Sequence, residues 1–80
     1  MKTQILAQVP GVFYDRAAPD KPPFKAPGDA VAVDDVIAVV EIMKSFMEVK
    51  AEAGGTNFTY LVENGDTVDV EQPIAEFDAN

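Results

Sequence analysis

The sequence predicts an all-β chain, a sandwich or flattened barrel built from two copies of one motif. The first observation is an internal repeat. The stretch GDAVAVDDVIAVVE at 28–41 lies on GDTVDVEQPIAEFD at 65–78 without a gap, at a constant offset of 37, with six of fourteen positions identical. The identical pairs are Gly28 and Gly65, Asp29 and Asp66, Val31 and Val68, Val33 and Val70, Ile37 and Ile74, and Ala38 and Ala75. The second is texture, because short apolar runs rich in β-branched and aromatic residues alternate with turn residues. The third is Pro73 beside the apolar run of the second copy, a residue suited to the start of a short strand.

The elements follow in order. Strands are expected at QILAQV, GVFY, VIAVVEI, SFMEV, NFTYLV and PIAEF. ENGD at 63–66 reads as a strong turn, because Asn64-Gly65 readily takes positive φ. GVFY from Gly11 and GTNFTYLV from Gly55 occupy the same place in the two copies, yet Gly11 to Gly28 is 17 residues and Gly55 to Gly65 only 10. The first copy therefore carries about seven extra residues. They lie in DRAAPDKPPFKAPG, where Pro19, Pro22, Pro23 and Pro27 block helix continuation and ladder pairing. A loop or protrusion within one domain, 1–80, follows, with the Pro-rich insertion at about 16–27.

A helix competes over one segment. Val36, Val39, Val40, Met43 and Met47 have helical spacing, with Asp34 or Asp35 as a cap and Gly54 as a stop. Against it, five of the seven residues in VIAVVEI are β-branched, and the repeat equates this segment with the one that starts at Pro73. If the copies share a structure, 36–42 is a strand.

Composition narrows the function. Eighty residues support one small core. Cysteine and histidine are absent, which removes disulfides, thiolate nucleophiles, imidazole bases and ordinary zinc sites. A formal charge of −8, with no Lys or Arg after Lys50, repels phosphate backbones and anionic membranes. Neither nucleic acid nor membrane is an expected partner. The longest apolar run, 36–40, is far too short to cross a bilayer, and no signal peptide is evident. A cytoplasmic carrier or binding module is the expectation.

A strand ending near Ile42 and another starting near Ser45 leave Met43-Lys44 as a two-residue hairpin turn. That pair lacks the Asn, Asp or Gly such turns prefer, so something other than turn stability selects it. Most lysines are only solvated, but an exposed Met43 with Phe46 and Met47 close behind suggests recognition. An exposed tip cannot desolvate an amine for base or Schiff-base chemistry, and no histidine stands by. Acylation of Lys44 by a partner enzyme is the better reading.

The string EIMKSF, between duplicated strand motifs and midway along the chain, resembles the attachment site of biotin carboxyl carrier proteins, whose usual form is Glu-Ala-Met-Lys-Met. The resemblance runs from VPGVFY to IAEFD and includes GVFY, the two GD turns and the GGT to LVENGD segment. It implies a biotinyl/lipoyl domain, a flattened barrel of two four-stranded antiparallel sheets with a pseudo-twofold. It implies covalent biotin on Lys44, with Met43 the methionine that helps the biotin protein ligase and Glu41 the acidic residue of the motif. The insertion resembles the thumb of acetyl-CoA carboxylase carriers, a protrusion that contacts the biotin ring. The implied role is non-catalytic, carrying carboxybiotin from biotin carboxylase to carboxyltransferase. Ile42 and Ser45 stand where the usual motif has a small residue and a methionine. The rival readings are a lipoyl carrier, disfavoured by Met43, and an unmodified interaction module.

Other motifs have bland readings. Gly54-Gly55 is expected to be a flexible turn, Asp34-Asp35 a turn without a metal, and Phe13, Tyr14, Phe58 and Tyr60 packing residues.

Overall fold

A computed structural model describes residues 2–80. Seven strands form among the described residues: β1 Lys2–Leu6, β2 Gly11–Tyr14, β3 Val36–Ile42, β4 Ser45–Lys50, β5 Gly55–Tyr60, β6 Thr67–Val68 and β7 Pro73–Ala79. One sheet runs β1-β7-β5 and the other β4-β3-β2-β6, all neighbours antiparallel. The helical reading of 36–47 gives way to strand. The β-branched run fills the centre of a sheet, where Ile37, Ala38 and Val40 are fully buried.

The repeat is a true pseudo-twofold, and each sheet takes strands from both copies. β1, β5 and β7 correspond to β4, β2 and β3, so the strand orders of the two sheets match. The pairing Lys2↔Asp78 repeats as Phe46↔Glu41, and the register slip at Ile5/Leu6 repeats at Val36/Ala38 on the matching pair of strands. Gly28 N–H bonds Phe58 O at 2.8 Å, while Gly65 N–H bonds Phe13 O at 2.7 Å. The GD turn of one copy thus docks on the aromatic strand of the other.

Backbone detail repeats as well. Pro27-Gly28, with Gly28 at φ 90° and Asp29 N–H bonded to Ala26 O, is a type II turn by sequence and geometry. Its counterpart turns at Asn64-Gly65, with Gly65 alone at positive φ, 93°. Asp34 and Glu71 both take positive φ, 72° and 66°, each in a turn whose first N–H is capped by the fourth side chain, Asp35 on Ala32 and Gln72 on Asp69. Asp34-Asp35 is therefore a turn, and no cluster able to hold a metal ion occurs among the described residues.

Gly55 departs from its expected flexible role. It opens β5, and a Cβ there would run into the Asp78 carbonyl oxygen and the Phe77 ring. Gly11 is constrained in the same way by the Glu41 carbonyl. Close backbone approach, not flexibility, requires glycine at these two places.

The eighth strand expected of two four-stranded sheets is reduced to one bridge, Val31↔Gly55. The cause is a bulge. Asn57 takes φ 62° and the β5–β7 register shifts between Thr56 and Thr59, so pairing beside Val31 cannot continue as it does at Gly11↔Val68 and Val12↔Thr67. The bulge also refines the repeat arithmetic: Phe13 to Gly28 spans fifteen steps and Phe58 to Gly65 seven, an insertion of eight offset by the one bulged residue.

Between the sheets lie Phe13, Phe58, Phe77, Ile37, Ile74, Val40 and Val68, all below 2 % exposed. Burying each such side chain contributes about 1.5–3 kcal/mol. Tyr60 packs edge-on against Phe58 and Phe13, and its hydroxyl donates to Ile37 O at 2.7 Å, tying one sheet to the other. Burial pushes that phenol up to about 12. No buried side-chain polar atom among the described residues lacks a partner.

Candidate functional site

The β3–β4 hairpin closes at Ile42↔Ser45, leaving Met43 and Lys44 as its two turn residues. Both have positive φ, 47° and 69°, the pattern of a type I′ turn. That turn matches the twist of its strands but forces two side-chain-bearing residues into the left-handed region, at about 1–2 kcal/mol each. The local cost is not repaid by burial. Met43 is 93 % exposed, and Lys44 is exposed with no hydrogen bond or ion pair among the described residues. The amine is thus presented at the apex of a rigid hairpin.

Ile42 does not crowd this apex. Its side chain turns inward, half-buried against the core and over Gly11. Alternation along β3 then sends Glu41 to the outer face of the four-stranded sheet. There its carboxylate accepts from the Tyr14 hydroxyl at 3.3 Å, and Phe46 stands directly across from it on β4. Burial, then the Glu41 charge, raises the Tyr14 pKa. Tyr14 was expected as core or cross-strand packing, and β2 alternates, so Phe13 goes in while Tyr14 goes out to meet the Phe46 ring across the sheet, centroids 6.5 Å apart.

The Pro-rich insertion covers this outer face. Its N-terminal stem is held by Asp15 N–H on Asn64 Oδ1, 2.9 Å, and by Phe24 N–H on Asp15 O, 2.8 Å. Its C-terminal stem is held by Lys25, whose amine bonds Ala30 O at 3.0 Å and Asp35 at 2.8 Å. Lys25 and the Ala32 N–H together hold the Asp35 carboxyl below the usual carboxylate range. Under the cover Val39 is only 8 % exposed despite facing outward. A cleft of about 250 Å³ remains between insertion and sheet, with Tyr14, Val39, Glu41 and Phe46 on one side and Arg16 and Pro19 on the other. Arg16 is paired with Asp15, Nε to Oδ1 at 2.7 Å.

The hairpin forms where the sequence placed it, with Met43 and Lys44 at its turn and Glu41 on β3. Phe46 was read only as an apolar neighbour of the tip, and Tyr14, Arg16 and Asn64 were not read as lining it; strand alternation from buried Phe13 would have sent Tyr14 outward.

The chain is 47 % identical over 58 residues to "Biotin carboxyl carrier protein of acetyl-CoA carboxylase" of Chlamydia pneumoniae, covering 72 % of this chain and 35 % of that protein. It is 39 % identical over 64 residues to the protein of the same description from Pseudomonas aeruginosa, covering 80 % of this chain and 41 % of that one. A chloroplastic relative from Arabidopsis thaliana, "Biotin carboxyl carrier protein of acetyl-CoA carboxylase 2", is 38 % identical over 64 residues, 80 % of this chain and 25 % of its own length. The chain thus spans less than half the length of these relatives. The profile of the biotin/lipoyl family described as "Biotin-requiring enzyme" matches residues 3–77, nearly the whole fold, and the chain belongs to that family.

Proposed function

We propose that residues 1–80 act as one biotinyl-attachment domain, the carrier component of an acetyl-CoA carboxylase type enzyme, with biotin joined by an amide to Lys44 Nζ. The observation that carries this reading is the strained type I′ turn that exposes Met43 and Lys44 together, a pair that turn stability alone would not choose. The residues fit the group. An unpaired amine at a rigid apex is open to a biotin protein ligase, and the cleft beside it has apolar walls with two charged groups at its rim.

Bound there, biotin would supply the nitrogen that accepts and releases a carboxyl group. The chain supplies position. β3 and β4 hold the apex still, inward Ile42 pins its base, and Tyr14 fixes Glu41 beside it. The domain has no catalytic role of its own. Tethering lets the arm visit biotin carboxylase and carboxyltransferase in turn at high effective concentration without tight docking to either. The acidic body suits brief contact with basic rims around those centres in the cytoplasm. The insertion plays the part of a thumb over the arm.

The test is the intact mass of the protein after co-expression with biotin protein ligase and biotin, beside Lys44→Ala. The expected result is a gain of one biotinyl group that the variant lacks. A folded protein that gains none, or gains a lipoyl group instead when given the lipoyl ligase, overturns the reading.

A further inference from the structure

The turn at 63–66 carries Asn64-Gly65, a dipeptide prone to deamidation because glycine leaves the next backbone nitrogen unhindered in its approach to the asparagine amide. Its pseudo-twofold counterpart is Pro27-Gly28, which has no side-chain amide, so the chemistry belongs to one copy alone. Residues 63–67 are all exposed, and a Cβ added at Gly65 would meet nothing within 4 Å. Sterics do not obstruct ring closure there, but hydrogen bonds do. Gly65 N–H, the nitrogen that would attack, donates to Phe13 O at 2.7 Å. Asn64 Oδ1 accepts from Asp15 N–H at 2.9 Å, which ties the side-chain amide to the stem of the insertion. Phe13 N–H donates in turn to Asp66 O at 2.7 Å. All three bonds join this turn to one stretch, 13–15. The turn leads into β6, an edge strand of two residues that pairs only with β2. With no buried side chain from 63 to 67, the turn lifts off at far lower cost than the core unfolds.

We propose that Asn64 is a self-modifying site gated by release of this turn from β2, and that its isoaspartyl product frees the stem of the insertion. On release, the Gly65 nitrogen loses its proton to solvent base and attacks Asn64 Cγ. The amide nitrogen takes up a proton and leaves as ammonia, and a five-membered succinimide remains. Water opens that ring at either carbonyl, to aspartate or to isoaspartate, with nothing oxidised or reduced. Aspartate keeps the original backbone, and its carboxylate still accepts from Asp15 N–H. Isoaspartate routes the backbone through the side-chain methylene, so Gly65 N–H no longer meets Phe13 O and Asp15 N–H loses its acceptor. The N-terminal stem then keeps only the bond from Phe24 N–H to Asp15 O. The proposal is independent of what Lys44 carries.

The test incubates the whole chain in mildly alkaline buffer beside a synthetic peptide of residues 60–69. Mass follows the exchange of amide NH2 for OH, and an isoaspartyl methyltransferase with peptide mapping locates the product. The expected result is conversion at Asn64 about ten- to a hundred-fold slower than in the peptide, as three weak exposed hydrogen bonds confer. Urea within the native baseline should leave that rate nearly flat, since release of the turn exposes little surface. Asp15→Pro, which removes the N–H that Asn64 accepts, should speed conversion about three- to ten-fold. If that variant does not fold, the urea series decides. The isoaspartyl form, separated by ion exchange, should lose amide protection at Asp15 and keep it along β3. Conversion at the rate of the peptide, or a rate that climbs with urea as steeply as global unfolding, overturns the gate. An unchanged rate in folded Asp15→Pro does the same. An isoaspartyl form with Asp15 still protected overturns the release of the stem, and no product at Asn64 after about a hundred peptide half-times overturns the site itself.

Discussion

The outer faces of the two sheets are built from equivalent strands and carry opposite chemistry. On the four-stranded sheet, Tyr14 pairs with Val39 and Glu41 with Phe46. At the equivalent places on the three-stranded sheet, Thr59 pairs with Glu76 and Asp78 with Lys2. One face is aromatic and roofed by the insertion. The other is polar, open to solvent and laced by the exposed contacts of Lys2 with Glu76 and Asp78. Inside, the copies match at most places, Phe13 with Phe58, Ile37 with Ile74 and Ala38 with Ala75, all fully buried, while Val40 stands where the second copy has Phe77. The fold therefore constrains the interior symmetrically, and the candidate site sits where the symmetry is broken.

The strongest way to break this comparison is to make one interior lose its equivalence. Phe13→Ala and Phe58→Ala should each cost about 3–5 kcal/mol by urea unfolding, because each empties an enclosed position of a large ring. That approaches the whole stability of a domain this size, roughly 4–12 kcal/mol. Outward Tyr14→Ala should cost about 1 kcal/mol, since it loses partial burial and one hydrogen bond. A loss at Phe13 no larger than at Tyr14 would refute the interior symmetry.

Next come the two close approaches. Gly55→Ala and Gly11→Ala should each cost about 2–3 kcal/mol, because the added methyl meets a backbone carbonyl that cannot move without shifting a central strand. Similar losses at both would extend the symmetry to the backbone. A near-neutral Gly55→Ala would show that the edge of β5 can yield.

How much of this was legible in the sequence depended on which face a residue serves. The repeat exposed the interior, because Gly28, Val31, Ile37 and Ala38 recur where backbone turns and core volume recur. It also supported a strand over 36–42, where periodicity alone allowed a helix. The Met43-Lys44 turn was legible from its poor fit to local preference. The outer face was harder to read. Its roof is an irregular segment with no periodicity, held by long-range bonds such as Asp15 to Asn64 that no local pattern encodes. The Asn57 bulge escaped because the gap-free part of the repeat begins only at Gly28, and the single strand bridge at Val31 is its consequence.

The hairpin apex sharpens the contrast between stability and use. Replacing Met43-Lys44 by Asn-Gly should stabilise the domain by about 1–2 kcal/mol, because both replacements take positive φ more readily. The same change removes the amine proposed to carry biotin, so the unfolding midpoint should rise as biotinylation falls to zero. A lower midpoint would mean that Met43 contributes contacts its 93 % exposure does not suggest.

The smallest expected effect separates two equivalent turns by charge. Asp35 and Gln72 cap the same N–H in their respective copies, but only Asp35 is ionisable and bonded to a lysine. The Lys25 bond, then the Ala32 N–H, lowers its folded pKa below the unfolded value near 3.9. A depressed carboxyl stabilises the fold above its unfolded pKa and loses that contribution as pH falls through the folded one. The first copy, with the insertion stem it anchors, should therefore loosen first in acid. Between about pH 6 and about pH 3, Asp35→Gln, which copies the second turn, should flatten the fall of the urea midpoint relative to wild type. The protection factor of the Ala32 amide should fall in acid in the wild type, while that of Asp69, capped by neutral Gln72, holds. Equal acid loosening at both turns would mean that the stem is held by its backbone bonds and that the lysine contributes nothing to it.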